Sequence, residues 1–261
     1  MIKKNPLVSV IMNCHNGEKY LEQSVRSVIA QSYDNWELIF WDNVSKDNSK
    51  KIIDRFTDKR IKYFKSRSFL KLYASRNLAI QKANGKFITF LDTDDMWQTN
   101  KIEKQINFFS HNKGIEIVYS NYYIFDEAKN KKYTKYRNKQ RSGMIFEDLL
   151  KDYTVGIGTV CLDKSIFLNY SFNNNFDIIG DFDFFLRLSE KKKIGYIHDS
   201  LITYRLHDSN LSKKKLALHA NEIRSWIENN GNKAKYKKNL TNLKVYLFKL
   251  KFKNFCNLFL K

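Results

Sequence analysis

The densest chemical signal in this 261-residue chain is the run FLDTDDMW at residues 90–97. Asp92, Asp94 and Asp95 fall within four positions, directly after the apolar, strand-like run Phe87-Ile88-Thr89-Phe90-Leu91. Three carboxylates this close repel one another, and burying them together is costly unless they protonate or hold a cation. Hard oxygen ligands without thiolates suit Mg²⁺ or Mn²⁺, and Mg²⁺ sites typically combine one or two carboxylates with substrate phosphates. A metal bridging protein acids to a diphosphate is the sharper reading. The plainer one is that Asp94 or Asp95 caps a short turn at DDMW.

The turn after the first apolar run reads Asn13-Cys14-His15-Asn16-Gly17-Glu18, which is neither GxGxxG nor a P-loop. A dinucleotide or triphosphate cradled by glycine-rich backbone amides is thereby disfavoured. Phosphate charge would instead be met by a metal and by side chains such as Arg76.

These residues need a scaffold, and the first half supplies alternating strands and helices. LVSVIM (7–12) and WELIFW (36–41) read as strands, and Tyr20, Leu21, Ser24, Val25, Val28 and Ile29 recur between them at helical spacing. A polar loop DNVSKDNS, a short helix around 52–56 and the strand IKYF (61–64) follow. Next come a helix over about 73–83 stopping near Gly85, the strand FITFL (87–91), a helix carrying Ile102, Ile106 and Phe109, and the strand IEIVYS (115–120). Repeated βα units predict a mostly parallel, Rossmann-like sheet flanked by helices, with ligands bound beyond the carboxyl ends of the strands. That rule sets Asp42, just past the second strand, in the same crevice as Asp92 to Asp95. The lysine-rich stretch 129–141 reads as an exposed loop before the second half.

Composition is that of a globular protein, with 43% hydrophobic and 28% charged residues. Cys14, Cys161 and Cys256 have no disulfide or zinc spacing, which fits a reducing cytoplasm. No signal-peptide pattern opens the sequence and no run of ~18 apolar residues marks a membrane span. The net charge of +20 is uneven: residues 213–261 hold 13 Lys and Arg against two acids, or +11. Such a basic segment suits a polyanion such as an anionic membrane surface, nucleic acid or an acidic substrate, or it merely solvates the surface. Within it, Phe248, Phe252, Phe255 and Phe259 follow i, i+4, i+7 and i+11, a helical stripe with Lys244 and Lys251 near it. The stripe suits either an interfacial helix on an anionic membrane or a helix packed on its own domain.

The ordered set VSVIMNCHNGEKYLEQSVRSVIAQSYDNWELIFWDNVSKDNS, ASRNLAIQKANGKFITFLDTDDMW, IIGDFDFFLRLS and YRLHDSNLS resembles glycosyltransferase family 2, the inverting enzymes of the GT-A fold, over roughly residues 7–212. The resemblance implies one GT-A domain at 1–212, with a nucleotide-binding half to about 125 and an acceptor half from about 140. A basic, aromatic-rich helical segment at 213–261 completes the chain. It implies that Asp92-Thr93-Asp94 is the DxD element, with Asp94 a direct ligand of Mn²⁺ or Mg²⁺ and Asp92 turned to the ribose or the metal's water shell. Asn13, His15, Asp42 and Asn43 would line the nucleobase and ribose pocket, and Arg76 would face the donor. Asp181 in GDFD matches the general base, and His207 in YRLH a position that in some members completes the metal or diphosphate site.

Two departures stand out. Where the family often has DDGS, this chain has Asp42-Asn43-Val44-Ser45, and where many members have Glu-Asp it has Gly180-Asp181. The retained Asp181 keeps the mechanism open, since an acceptor hydroxyl is a poor nucleophile until a carboxylate accepts its proton, an effect of ~10²–10⁴ in rate. Taken by itself, Asp181 would read as a helix N-cap before Phe184, Phe185 and Leu188. The expected partners are a nucleotide-sugar donor, a UDP-sugar first, and a hydroxyl of a surface glycan or glycolipid such as lipopolysaccharide, capsule or lipid-linked oligosaccharide. Nucleic acid is not expected, and the expected place is the cytoplasm, at the inner face of the membrane. The competing readings are a sugar nucleotidyltransferase on a related sheet and, more distantly, a non-enzymatic polyanion-binding protein.

Overall fold

The computed structural model describes residues 5–237 and 239–259, with side chains to residue 256. The first half runs β1 (Val8–Cys14), α1 (Leu21–Ile29), β2 (Trp36–Asp42), α2 (Ser49–Ile53), β3 (Ile61–Lys65), α3 (Leu72–Gln81) and β4 (Phe87–Phe90). Then come β5 (Met96–Trp97), α4 (Lys101–His111), β6 (Ile117–Asp126), β7 (Lys131–Thr134) and α5 (Phe146–Lys151). The remainder comprises β8 (Cys161–Asp163), α6 (Gly180–Ser189), β9 (Ile194–Leu206), α7 (Leu211–Lys214), α8 (Leu216–Asn230), α9 (Ala234–Lys237) and α10 (Leu240–Phe259).

Among these residues the nine strands form one sheet of order β3-β2-β1-β4-β8-β6-β9-β5, with β7 paired to β6. The strands β3, β2, β1 and β4 are mutually parallel, as the βα repeats predict. Beyond β4 the sheet is mixed: β8 runs antiparallel to β4 and β6, β9 parallel to β6, and β5 and β7 antiparallel to their neighbours. Three of the antiparallel members, β5, β7 and β8, span only two to four residues. Pieces that short carry no readable alternation, so their direction was invisible to pattern reading. The stretch 129–141 is exposed as expected, but Lys131–Thr134 is a strand pairing with Tyr123–Asp126, not a loop.

Continuously apolar strands belong to a sheet covered on both faces. Val8, Val10 and Met12 of β1 point into one core with Leu21, Val25 and Val28 of α1 and Ile102 and Phe109 of α4. Ile11, between them, points into the opposite core with Tyr73 of α3 and Phe184 and Phe185 of α6. Trp226 of α8 and Leu243 and Leu250 of α10 belong to this second core.

The segment 213–261 therefore packs on the sheet's helical layer by one of its faces. Along α10, Leu240, Leu243, Leu247 and Leu250 recur at i, i+3, i+7 and i+10 and lie inward. Val245, Phe248, Phe252 and Phe255, at the same spacing on the opposite side, are exposed, Phe248 at 69% and Phe252 at 62%. Phe259 of the predicted stripe lies outside the described side chains. No described helix is long and apolar enough to cross a membrane.

Candidate active site

Asn13, Asp42, Asn43 and the Asp92–Asp95 run gather at the carboxyl ends of β1, β2 and β4. β5, unforeseen in the sequence, decides how the run Asp92–Asp95 sits. Met96 and Trp97 pair with Thr203 and Ile202 of β9, which carries the DTDD turn against the end of that strand. Buried Asp95 is the anchor: the Arg205 N–H donates to its Oδ1 at 2.9 Å, and its backbone oxygen accepts from Ser24 Oγ at 2.6 Å. Burial, followed by the charges of Asp94 and Asp92, pushes the Asp95 carboxyl well up. Asp95 fastens two strands together, a larger task than the turn cap weighed from sequence.

Asp94 and His207, 113 positions apart, meet across this junction, with His207 Nε2 and Asp94 Oδ2 2.9 Å apart. Asn210 Nδ2 also reaches Asp94 Oδ2 at 3.3 Å, and Ser209 Oγ lies 2.7 Å from His207 Nδ1. Burial and the Asp92 charge push the Asp94 carboxyl up, and His207 pulls it back. Asp92, half-exposed, pairs with the buried Arg76 guanidinium, so Arg76 supports the Asp92–Asp95 turn. Among the described residues no three His, Cys, Asp or Glu side chains cluster as a preformed metal cage.

An oxygen and an imidazole nitrogen side by side still fit Mn²⁺ or Mg²⁺ of the kind whose remaining positions are filled by substrate phosphates and water. The Ser209 hydroxyl at Nδ1 supplies the outer partner that a metal-binding imidazole requires.

At the end of β1, Asn13 donates through Nδ2 to Ser75 Oγ at 3.2 Å, while its buried Oδ1 has no partner among the described residues. His15 Nδ1 lies 2.8 Å from the Asn43 carbonyl, and its ring packs edge-on to Phe69 at 4.7 Å. Phe69 is 59% exposed and was not singled out in the sequence, where a lone aromatic in a polar loop gives no signal. Asp42 and Asn43 sit in the crevice wall and are engaged with protein groups. Asp42 accepts from Tyr63 Oη and the Ser45 N–H, both at 2.7 Å, and Asn43 bonds the Leu70 backbone in both directions. The next residue, Val44, has φ 61°, a left-handed conformation at the position where the family often has glycine.

Asp181 is the second residue of α6, whose N-cap is Ile179, so it is not the cap. Tyr73 Oη donates to its Oδ1 at 2.9 Å. Burial pushes the Asp181 carboxyl up, opposed by that hydrogen bond and by the Arg76 charge. The missing side chain at Gly180 has a steric reason: a Cβ there would lie 2.3 Å from the Tyr73 ring. Arg76 lies over the same ring, 5.0 Å from its centroid. Tyr73 thus links Asp181 to the Arg76–Asp92 pair. Its place one helical turn before Arg76 was the available signal for it.

The sequence profile described as Glycosyl transferase family 2 matches residues 9–171. The chain is 36% identical over 213 residues to UDP-Glc:alpha-D-GlcNAc-diphosphoundecaprenol beta-1,3-glucosyltransferase WfgD of Escherichia coli, covering 80% of this chain and 81% of that protein. It is 29% identical over 259 residues to an uncharacterized glycosyltransferase of Methanocaldococcus jannaschii, covering 94% of this chain and 87% of the relative. Staphylococcus aureus TarS 1–349 in complex with UDP superposes with TM-score 0.65 at 17% identity, over 83% of this chain and 65% of that one. Mannosyltransferase PcManGT from Pyrobaculum calidifontis, in complex with GDP-Man and Mn²⁺, superposes with TM-score 0.67 at 12% identity, over 94% of this chain and 70% of that one. At these identities the two structures establish a shared GT-A-type fold.

Proposed function

The chain belongs to glycosyl transferase family 2, and on that footing we propose that it is an inverting, metal-dependent enzyme. It moves a hexose or N-acetylhexosamine from a UDP-sugar to a hydroxyl of a surface-glycan acceptor, of the lipopolysaccharide, capsule or lipid-linked oligosaccharide kind. The observation that carries this reading is the meeting of Asp94 with His207, together with Arg76, which pairs with Asp92 of the same turn and also acts on the charge of Asp181. The UDP-sugar and the lipid-linked acceptor in the name of WfgD support the choice of substrates. Family membership weighs against both a nucleotidyltransferase and a non-enzymatic polyanion binder.

The nucleobase and ribose would lie between His15, Phe69 and the wall built by Asp42 and Asn43, with the unpartnered Asn13 Oδ1 as an acceptor for a ligand N–H or O–H. Asp94 and His207 would hold Mn²⁺ or Mg²⁺, with Asp92 beside them, and the ion when bound neutralises charge gained by the leaving diphosphate. Asp181 accepts the proton of the acceptor hydroxyl as its oxygen bonds to the anomeric carbon and the bond to the diphosphate oxygen breaks. Attack from the face opposite the leaving group inverts that carbon. The raised proton affinity of a buried carboxylate makes Asp181 a stronger base, while Tyr73 and Arg76 favour its ionised form.

The exposed Phe248 and Phe252, flanked by Lys244, Lys249, Lys251 and Lys253, suit an anionic membrane surface. On this reading the protein works in the cytoplasm, peripheral to the inner face of the membrane. The test is UDP release and product formation across a panel of UDP-sugars with a lipid-linked saccharide, with and without Mn²⁺, and anomeric analysis of the product. Wild-type transfer by both Asp94→Asn and Asp181→Asn would overturn the assignment.

A further inference from the structure

Besides the donor crevice, the structure has a cleft of about 480 Å³ with Asp181 in its wall. That volume is in the range of small-ligand sites. Its apolar floor includes Leu149, Ile179 and Phe182. Two of its walls come from the segment that sequence analysis set apart as a tail: His219 and Ile223 of α8, and Asn242, Leu243 and Tyr246 of α10.

We infer that this cleft is the binding site for the acceptor saccharide, with Tyr246 and His219 selecting it, so that the C-terminal helices are part of the acceptor site. The inference deepens the reading of Asp181 as general base and rests on it.

Four observations carry it. Tyr153, another lining residue, has a buried hydroxyl that lies by the Asp181 carboxyl yet makes no hydrogen bond of ordinary length among the described residues, a polar atom that a sugar hydroxyl would satisfy. Tyr246 and His219 meet at the cleft, ring centroids 5.7 Å apart at 68°, with Tyr246 Oη 3.5 Å from His219 Nε2. Tyr246 is 43% exposed, and such a half-wet aromatic edge offers a sugar both an apolar face and a hydroxyl. Burial holds His219 neutral, pushed down to about 4, so it can both donate and accept toward an uncharged polyol.

The position of α10 is fixed independently of any ligand. Asn242 Nδ2 donates to the Lys151 carbonyl at the end of α5 at 3.1 Å, and Leu243 is buried in the core shared with α6. Tyr246 is therefore presented by a rigid element rather than by a loose tail. Lys135 and Lys151, both exposed, add positive charge to the same cleft, which suits a saccharide linked through phosphate.

The experiment is steady-state kinetics on the full chain with a UDP-sugar turned over by the wild type and a sugar-diphosphate-lipid acceptor. Tyr246→Ala is expected to raise the acceptor KM about tenfold while the UDP-sugar KM stays within about twofold, with Tyr246→Phe recovering most of the loss. His219→Ala, on a different helix, gives the same split and serves if Tyr246→Ala does not fold. Unchanged acceptor KM in both alanine variants, with Asp181→Asn inactive, overturns the inference and leaves the general base standing. Full activity of Asp181→Asn overturns the reading on which it rests.

Discussion

Tyr73 Oη donates to Asp181 Oδ1 at 2.9 Å, tying α3 to α6 across 108 positions of the chain. The contact exists because residue 180 is glycine, since any Cβ there would overlap the Tyr73 ring. Where many family members carry a second acid, this chain carries a phenol from another helix.

The pH dependence follows from that bond. Donation from Tyr73 stabilises the Asp181 carboxylate and holds its pKa below the level burial alone would set. Tyr73→Phe removes the donor, so Asp181 binds its proton more tightly and less of it is ionised at a given pH. The acid limb of log kcat/KM against pH is expected to move upward by ~1 unit, with the high-pH plateau preserved within a few-fold. An unmoved limb would separate Asp181 from proton transfer.

Val44 strains the loop after β2. A β-branched residue at φ 61° costs of the order of 1–3 kcal/mol, and glycine at the same place costs backbone entropy of ~0.5–1 kcal/mol. Val44→Gly is expected to raise stability by about 1 kcal/mol, read as a higher urea midpoint with an unchanged slope.

Lys101, the first residue of α4, is fully buried beside Thr89, Gln105 and Trp97, donating to Thr89 Oγ1 and Gln105 Oε1 at 2.8 Å. No carboxylate pairs with it among the described residues, and burial pushes its pKa down to about 7. Between that value and the ordinary lysine value near 10.5 the unfolded chain binds the extra proton, so stability rises with pH through this window. Urea midpoints at pH 7 and 8.5 are expected to increase in the wild type relative to Lys101→Met, which lacks the titrating group. Parallel pH trends in the two proteins would refute the assignment.

The outward face of α10 predicts membrane association. The protein is expected to co-sediment with vesicles containing phosphatidylglycerol but not with pure phosphatidylcholine, less so as salt rises. Replacing Phe248 and Phe252 with serine removes exposed apolar area without touching the inward leucines, and should lower partitioning about tenfold or more at unchanged thermal stability. Equal binding by the double variant would assign the affinity to lysine charge alone.

The sequence legibly contained the parallel half of the sheet, because β1, β2 and β4 are apolar runs separated by amphipathic helices. The carboxyl-end rule also set Asp42 and the DTD run at the same end of the sheet, where the structure has them. The two-residue β5 was not legible, because two residues have no period, and it is β5 that sets Asp94 against His207. Tyr73 escaped notice because an aromatic on a helix facing a core reads as packing until its hydroxyl is seen to end at Asp181.

By itself the sequence determined the alternation of elements, the family resemblance and the types of acid and base available, because hydrophobic period and motif order are local properties of the chain. Only the tertiary structure decided which of those residues meet. Arg76 lies beneath Asp92, His207 against Asp94 and Tyr73 against Asp181, across separations of 16, 113 and 108 positions. It also decided that α10 has two apolar faces with different destinations: one bank of leucines completes the core, and on the opposite face Phe248 and Phe252 are exposed. Burial and long-range juxtaposition are set by strand order and helix packing, which no local pattern encodes.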